Sequence, residues 1–100
     1  MSWSDVHARY AVLDDVVARA ATDPATAIID ALAAHDDAYR LFDGPAGIHA
    51  ALQARWTNHL NAKLDLALEQ GMDPVWAYFQ LTNEQPRLRA VLDSALVLAA

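Results

Sequence analysis

Four histidines and thirteen carboxylates are the residues of this chain best suited to acid–base or metal chemistry. His35 stands beside Asp36 and Asp37, the densest cluster of metal-ligating types. His49 and His59 fall within one expected helix. Their spacing leaves them about 80° apart in rotation and about 15 Å apart along the axis, too distant to ligate one ion. A bundle-type carboxylate centre takes Glu-x-x-His pairs from facing helices, and neither Glu69 nor Glu84 has a histidine three residues on. No His-Glu-x-x-His segment occurs. Cysteine is absent, which removes thiolate metal sites, disulfides and cysteine nucleophiles. The expectation is no metal and no cofactor, with exposed or partly packed histidines.

Adjacent carboxylates invite a general acid/base reading, because two that share a site split their pKa values. Asp14-Asp15 and Asp36-Asp37 are neighbours in sequence, however, and on a helix neighbours point about 100° apart. Asp65 and Glu69, four apart, repel mildly on a solvated face. Asp23, Asp43 and Asp73 each stand at or near a proline, where a carboxylate caps a helix start. Nucleophile and phosphate motifs are missing: there is no Gly-x-Ser-x-Gly, Walker loop or Gly-x-Gly-x-x-Gly, and three glycines cannot build a phosphate cradle. No catalytic residue is assigned, and the chain reads as a non-enzyme.

The aromatics remain. Trp56, Trp76, Tyr78 and Phe79 lie close in sequence, beside Arg55 and His59. Trp56 and His59 share a helix face, as do Trp76 and Phe79, whereas Tyr78 is turned about 160° from Trp76. These six are the candidate ligand pocket or partner groove, since Trp, Tyr and Arg are common interface anchors. The same spacing also suits an ordinary core for Trp56, Trp76 and Phe79.

The elements that must position these residues are helices. One hundred residues make one domain, expected to span 1–100. Apolar residues are 55% of the chain, but alanine alone supplies 22 positions, which favours helix and leaves larger side chains for only one small core. The fold class is all-α, with about five helices: 4–21, 24–42, 45–70, 74–83 and 86–98. The segment Ala34-His35-Asp36-Asp37 can interrupt the second. Gly71 suits a helix end, and Pro86 begins a further helix. In the first helix Val6, Tyr10, Leu13, Val17 and Ala20 form one stripe. In the long, central third helix Ile48, Leu52, Trp56, Leu60, Leu64 and Leu68 recur every four residues. A four-residue step drifts about 40° per repeat, so this stripe winds and meets different neighbours at its two ends. No strand-like alternation and no internal repeat appear.

From Tyr39 the passage Tyr39-Arg40-Leu41-Phe42-Asp43-Gly44-Pro45-Ala46-Gly47-Ile48-His49-Ala50-Ala51-Leu52 resembles the stretch after the recognition helix of TetR-family transcriptional regulators. Asp73-Pro74 and Glu84-Gln85-Pro86-Arg87-Leu88 are similar to the rhythm of that family's ligand domain. The chain also resembles small all-α proteins common in actinobacteria. The resemblance implies a related helical topology without DNA binding. The segment that should hold the helix-turn-helix, Ala25 to Ala38, carries Asp30, Asp36 and Asp37 and no Lys or Arg. A net charge of −6 points the same way, against nucleic acid and anionic membranes.

No apolar run approaches the roughly 18 residues of a membrane helix. Met1-Ser2-Trp3-Ser4-Asp5 lacks the basic and apolar regions of a secretory leader. A cytoplasmic protein is expected. Its partner is expected to be a second copy or another protein. Leu88, Val91, Leu92, Ala95 and Leu96 supply the stripe of the last helix, which leaves Val97 or Leu98 facing outward. Self-association as a homodimer through Leu92, Leu96, Val97 and Leu98 is therefore expected. A small-molecule-binding regulator using the aromatic pocket is the alternative, and a small helical enzyme a lesser one.

Overall fold

The computed structural model describes residues 2–94 and builds them from six helices: α1 (Trp3–Arg19), α2 (Ala27–Ala34), α3 (Ala38–Phe42), α4 (Pro45–Glu69), α5 (Pro74–Glu84) and α6 (Pro86–Ser94). No strand occurs among the described residues. The all-α single domain is as the composition predicts, but the helices number six rather than five.

The extra helix arises because the second, expected over 24–42 with 34–37 as the segment that can interrupt it, does break there. Asp23 spends its carboxylate on the Ala25 amide, 3.0 Å away, and helix begins only at Ala27. At His35 the backbone turns extended, with φ −113° and ψ 114°. The His35 ring then reaches across to α1, its Nε2 lying 2.9 Å from Asp15 Oδ2. Asp36 and Asp37 form a turn before α3 restarts. Asp43 also departs from expectation. It does not cap α4; it closes α3 in the left-handed conformation at φ 58°, and Gly44 follows at φ 105°. Pro45 sits in the first turn of α4 as expected.

The start of α1 lies ahead of the expected residue 4, with Ser2 as its cap, whereas the start of α5 and the end of α4 are as expected. Ser2 Oγ accepts from the Asp5 amide at the start of α1, and Asp73 accepts from the Val75 amide at the start of α5. Helix α4 ends in a paired carbonyl-capping turn. The Met72 amide donates to Ala67, the Gly71 amide to Leu68, and Gly71 takes φ 67°.

Helix α4 is about 37 Å long and forms the spine. Ile48, Leu52 and Trp56 are buried in its first half, in one core with Val12, Leu13 and Val16 of α1, Ile28 of α2, Phe42 of α3 and Leu88, Val91 and Leu92 of α6. Its second half packs on α5, where Ala67 and Ala77 are fully buried. Two methyl side chains in that position let the helices approach closely. The four-residue stripe winds as expected: Leu60 and Leu64 are half-buried, and Leu68 emerges 82% exposed. In α1 the buried set is Val12, Leu13 and Val16, with Ala20 buried just beyond its end, while Tyr10, expected in the stripe, is 56% exposed. The neighbours of α1 crowd its C-terminal half and leave the Val6–Tyr10 limb at the edge.

Candidate functional site

The six residues expected to gather into one pocket are divided between three environments. Trp56 is core, 3% exposed. The Arg89 guanidinium lies 4.7 Å over its ring, and Tyr78 meets it edge-on at 6.0 Å. Trp76 is half-buried on α5. Tyr78 and Phe79 stack edge-on at 6.0 Å and are exposed, because Ala77 and Leu81 take the inward face of their helix. Arg55 and His59 line a different surface, a groove between α1 and α4. The expected aromatic pocket is thus not assembled. Trp56 turns into the core, whereas Arg55, one residue earlier, lines the groove against α1.

Two surfaces replace it. The first is the α1–α4 groove of about 440 Å³, walled by Val6, Tyr10 and Leu13 on one side and Ala51, Ala54 and Arg55 on the other. That volume falls within the range of small-ligand clefts. Arg55 Nη1 donates to Asp14 at the rim over 3.0 Å. Arg9 also lines the groove, and its guanidinium donates to the Leu41 carbonyl at 2.6 Å and lies 4.4 Å over the Phe42 ring. The Gln85 side-chain amide and His59 Nδ1 are hydrogen-bonded.

The second surface is the α4–α5 hairpin. Five of the nine large apolar side chains exposed among the described residues, Leu66, Leu68, Val75, Tyr78 and Phe79, fall within residues 66–79. With Ala67 and Ala77 marking the inward faces, about 100° per residue brings Leu64 and Leu68 to the side of α4 that adjoins Val75 and Tyr78. Phe79, one turn on from Val75, extends the patch around α5. Leu68 and Val75 were missed as candidates, although the drift of the four-residue stripe already turns Leu68 about 200° from Ile48.

Of the residues assigned to self-association, Leu92 is 2% exposed and belongs to the core. Leu96, Val97 and Leu98 lie outside the described residues. Among the described residues no group of three or more His, Asp or Glu side chains is placed to hold a metal ion. His35 is engaged with Asp15 rather than with its acidic neighbours. Burial at Asp15 opposes its charged form, but hydrogen bonds from Arg19 and His35 outweigh it and hold the carboxyl below the ordinary range. The hydrogen bond from Arg40 does the same for Asp5. These carboxylates act as ties: Asp15 to α2 and Asp5 to α3. Among the described residues no helix is long and apolar enough to cross a membrane. No protein-family model, curated protein or solved structure matches the chain.

Proposed function

We propose that the protein is a cytoplasmic, non-enzymatic helical interaction module that pairs with a second copy of itself through the α4–α5 hairpin. The density of exposed apolar side chains on that hairpin carries the reading. Leu68 is 82%, Phe79 60% and Val75 55% exposed, and with Tyr78 they present on the order of 500 Å² of side chain. The largest apolar patch on a protein of this kind is often functional, and a symmetric pair covers one such patch with its own copy.

The charges around the patch give the pairing a signature. Residues 64–86 contain Asp65, Glu69, Asp73 and Glu84 but no Lys, Arg or His; Glu84 is paired with Lys63, which leaves Asp65, Glu69 and Asp73 as the acidic rim. A second copy brings acidic rims together, so added salt strengthens self-association by screening them. A basic partner shows the opposite dependence.

Sedimentation or light scattering of the full chain at about 100 µM, a concentration that detects a dimer held by roughly 5 kcal/mol, tests the proposal. A dimer fraction that rises with salt, and is lost in a Leu68→Gln/Phe79→Gln variant, is the expected result. A chain monomeric at that concentration in both low and high salt refutes it. So does a dimer that survives the double substitution but dissociates on deletion of residues 96–100, which places the interface at the tail.

A further inference from the structure

The geometry points to a second, independent binding site: the α1–α4 groove is built for a small monocarboxylate with an apolar body, anchored on Arg55. The charge distribution singles this groove out. The chain carries 13 acidic residues in 100, yet residues 44–64 contain none, while Arg55, Lys63, His49 and His59 all fall there. Of these four, Arg55 and His59 line the groove, whose α4 wall thus carries no carboxylate of its own.

Its lining divides by chemistry. Val6, Leu13, Ala51 and Ala54 are apolar, and the alanines, three apart on α4, leave the room that larger side chains would fill. Tyr10 lines the groove and is 56% exposed, free to cover an apolar body. Asn58 and His59 supply further polar groups at the same end as Arg55. The two arginines of the lining differ in how they are engaged. The Arg9 guanidinium is committed to the Leu41 carbonyl and the Phe42 ring, which favours a single carboxylate over a phosphate or a dicarboxylate.

Arg55 already holds a carboxylate, and a weakly retained one. Asp14 is 71% exposed where Arg55 is 20% exposed, and they are joined by one contact of 3.0 Å. Guanidinium presents a planar fork that takes a carboxylate through two parallel bonds. An incoming carboxylate that makes both bonds therefore displaces Asp14, which swings into water at little cost. Asp14 is the internal competitor that keeps the empty groove neutralised.

The test is a titration of the full chain with phenylacetate and hexanoate, each against its primary amide, followed by amide NMR correlation spectra. Saturable shifts around Val6, Tyr10, Ala51, Arg55 and Asn58 near about 1 mM acid are expected for a ligand of this size. The amides should bind at least about tenfold more weakly. Arg55→Gln should abolish the preference for acid over amide, with helical circular dichroism as the control for folding. Asp14→Asn, a substitution of an exposed residue, should tighten acid binding about two- to fivefold by removing the competitor. Equal binding of acid and amide overturns the proposal, as do non-saturating shifts or shifts centred on residues 64–79. Unchanged or weakened affinity in Asp14→Asn overturns it even where Arg55→Gln does not fold.

Discussion

Gly47 lies in the first turn of α4, where helix propensity alone says that alanine should stabilise the protein by about 1 kcal/mol. The packing reverses that sign. A Cβ at Gly47 would stand 1.6 Å from the Phe42 carbonyl oxygen and 2.7 Å from its carbonyl carbon. Real contacts of this kind need roughly twice the shorter distance. The obstacle is backbone, so no side-chain rotation relieves it. Nor is that backbone free to retreat. Phe42 is 5% exposed, the Arg9 guanidinium stacks on its ring, and Asp43 and Gly44 both occupy positive-φ conformations immediately after it. Overpacking costs of about 1–3 kcal/mol or more, set against the propensity gain, give a net loss of about 2 kcal/mol for Gly47→Ala. For a domain of this size that lowers Tm by about 8–16 °C. Gly71→Ala is the comparison: its surroundings are open and only the left-handed conformation at φ 67° is strained, a cost of about 1–2 kcal/mol. Thermal and urea unfolding followed by helical circular dichroism measures both. A Gly47→Ala protein as stable as the parent, or more so, refutes the close approach of α3 to α4 and with it the register of the spine.

The winding of the α4 stripe makes a second stability prediction. Leu52→Ala, at a side chain 0% exposed, should cost about 2–5 kcal/mol, whereas Leu68→Ala, on the same four-residue repeat but 82% exposed, should stay within about 0.5 kcal/mol in dilute solution. Comparable urea midpoints for the two variants contradict the drift. A third concerns acid. Because the folded carboxyls of Asp15 and Asp5 titrate below their ordinary range, their contribution is complete above about pH 4 and is lost as pH falls through the folded values. Asp15→Asn should therefore flatten the acid limb of stability against pH while leaving its neutral shape unchanged. Urea midpoints measured across that limb decide it, and an acid limb as steep as the parent's refutes the tie between α1 and α2.

What was legible in the sequence was the part set by local physics. Asp73-Pro74 and Gly71 work through bonds within a few residues of themselves, and both act as their types predict. The four-residue period of α4 is a property of one helix, so its passage from core to surface follows from arithmetic. The break at His35 is different. Residues 34–37 are readable as the place where the helix can stop, but not the contact made there: the His35 ring meets Asp15, twenty positions away. Asp43 likewise reads as a cap from its neighbours, but the packing of Phe42 beneath Gly47 places it in the left-handed region instead.

The candidate sites follow the same division. Grouping Arg55, Trp56, His59, Trp76, Tyr78 and Phe79 rested on proximity along the chain, and helical rotation separates them, sending Trp56 inward, Tyr78 and Phe79 outward on α5, and Arg55 and His59 towards α1. The missing wall of the groove, Val6, Tyr10 and Leu13, lies some forty residues earlier, and no local pattern in α4 announces it. One signal did not depend on the fold. A stretch of 21 residues without a carboxylate, in a chain with 13 of them, is visible in the sequence as a gap in the charge. The gap acquires meaning only once α1 lays an apolar wall beside it, and Asp14, the one carboxylate that α1 sends across to Arg55, then stands where a ligand's carboxylate would compete.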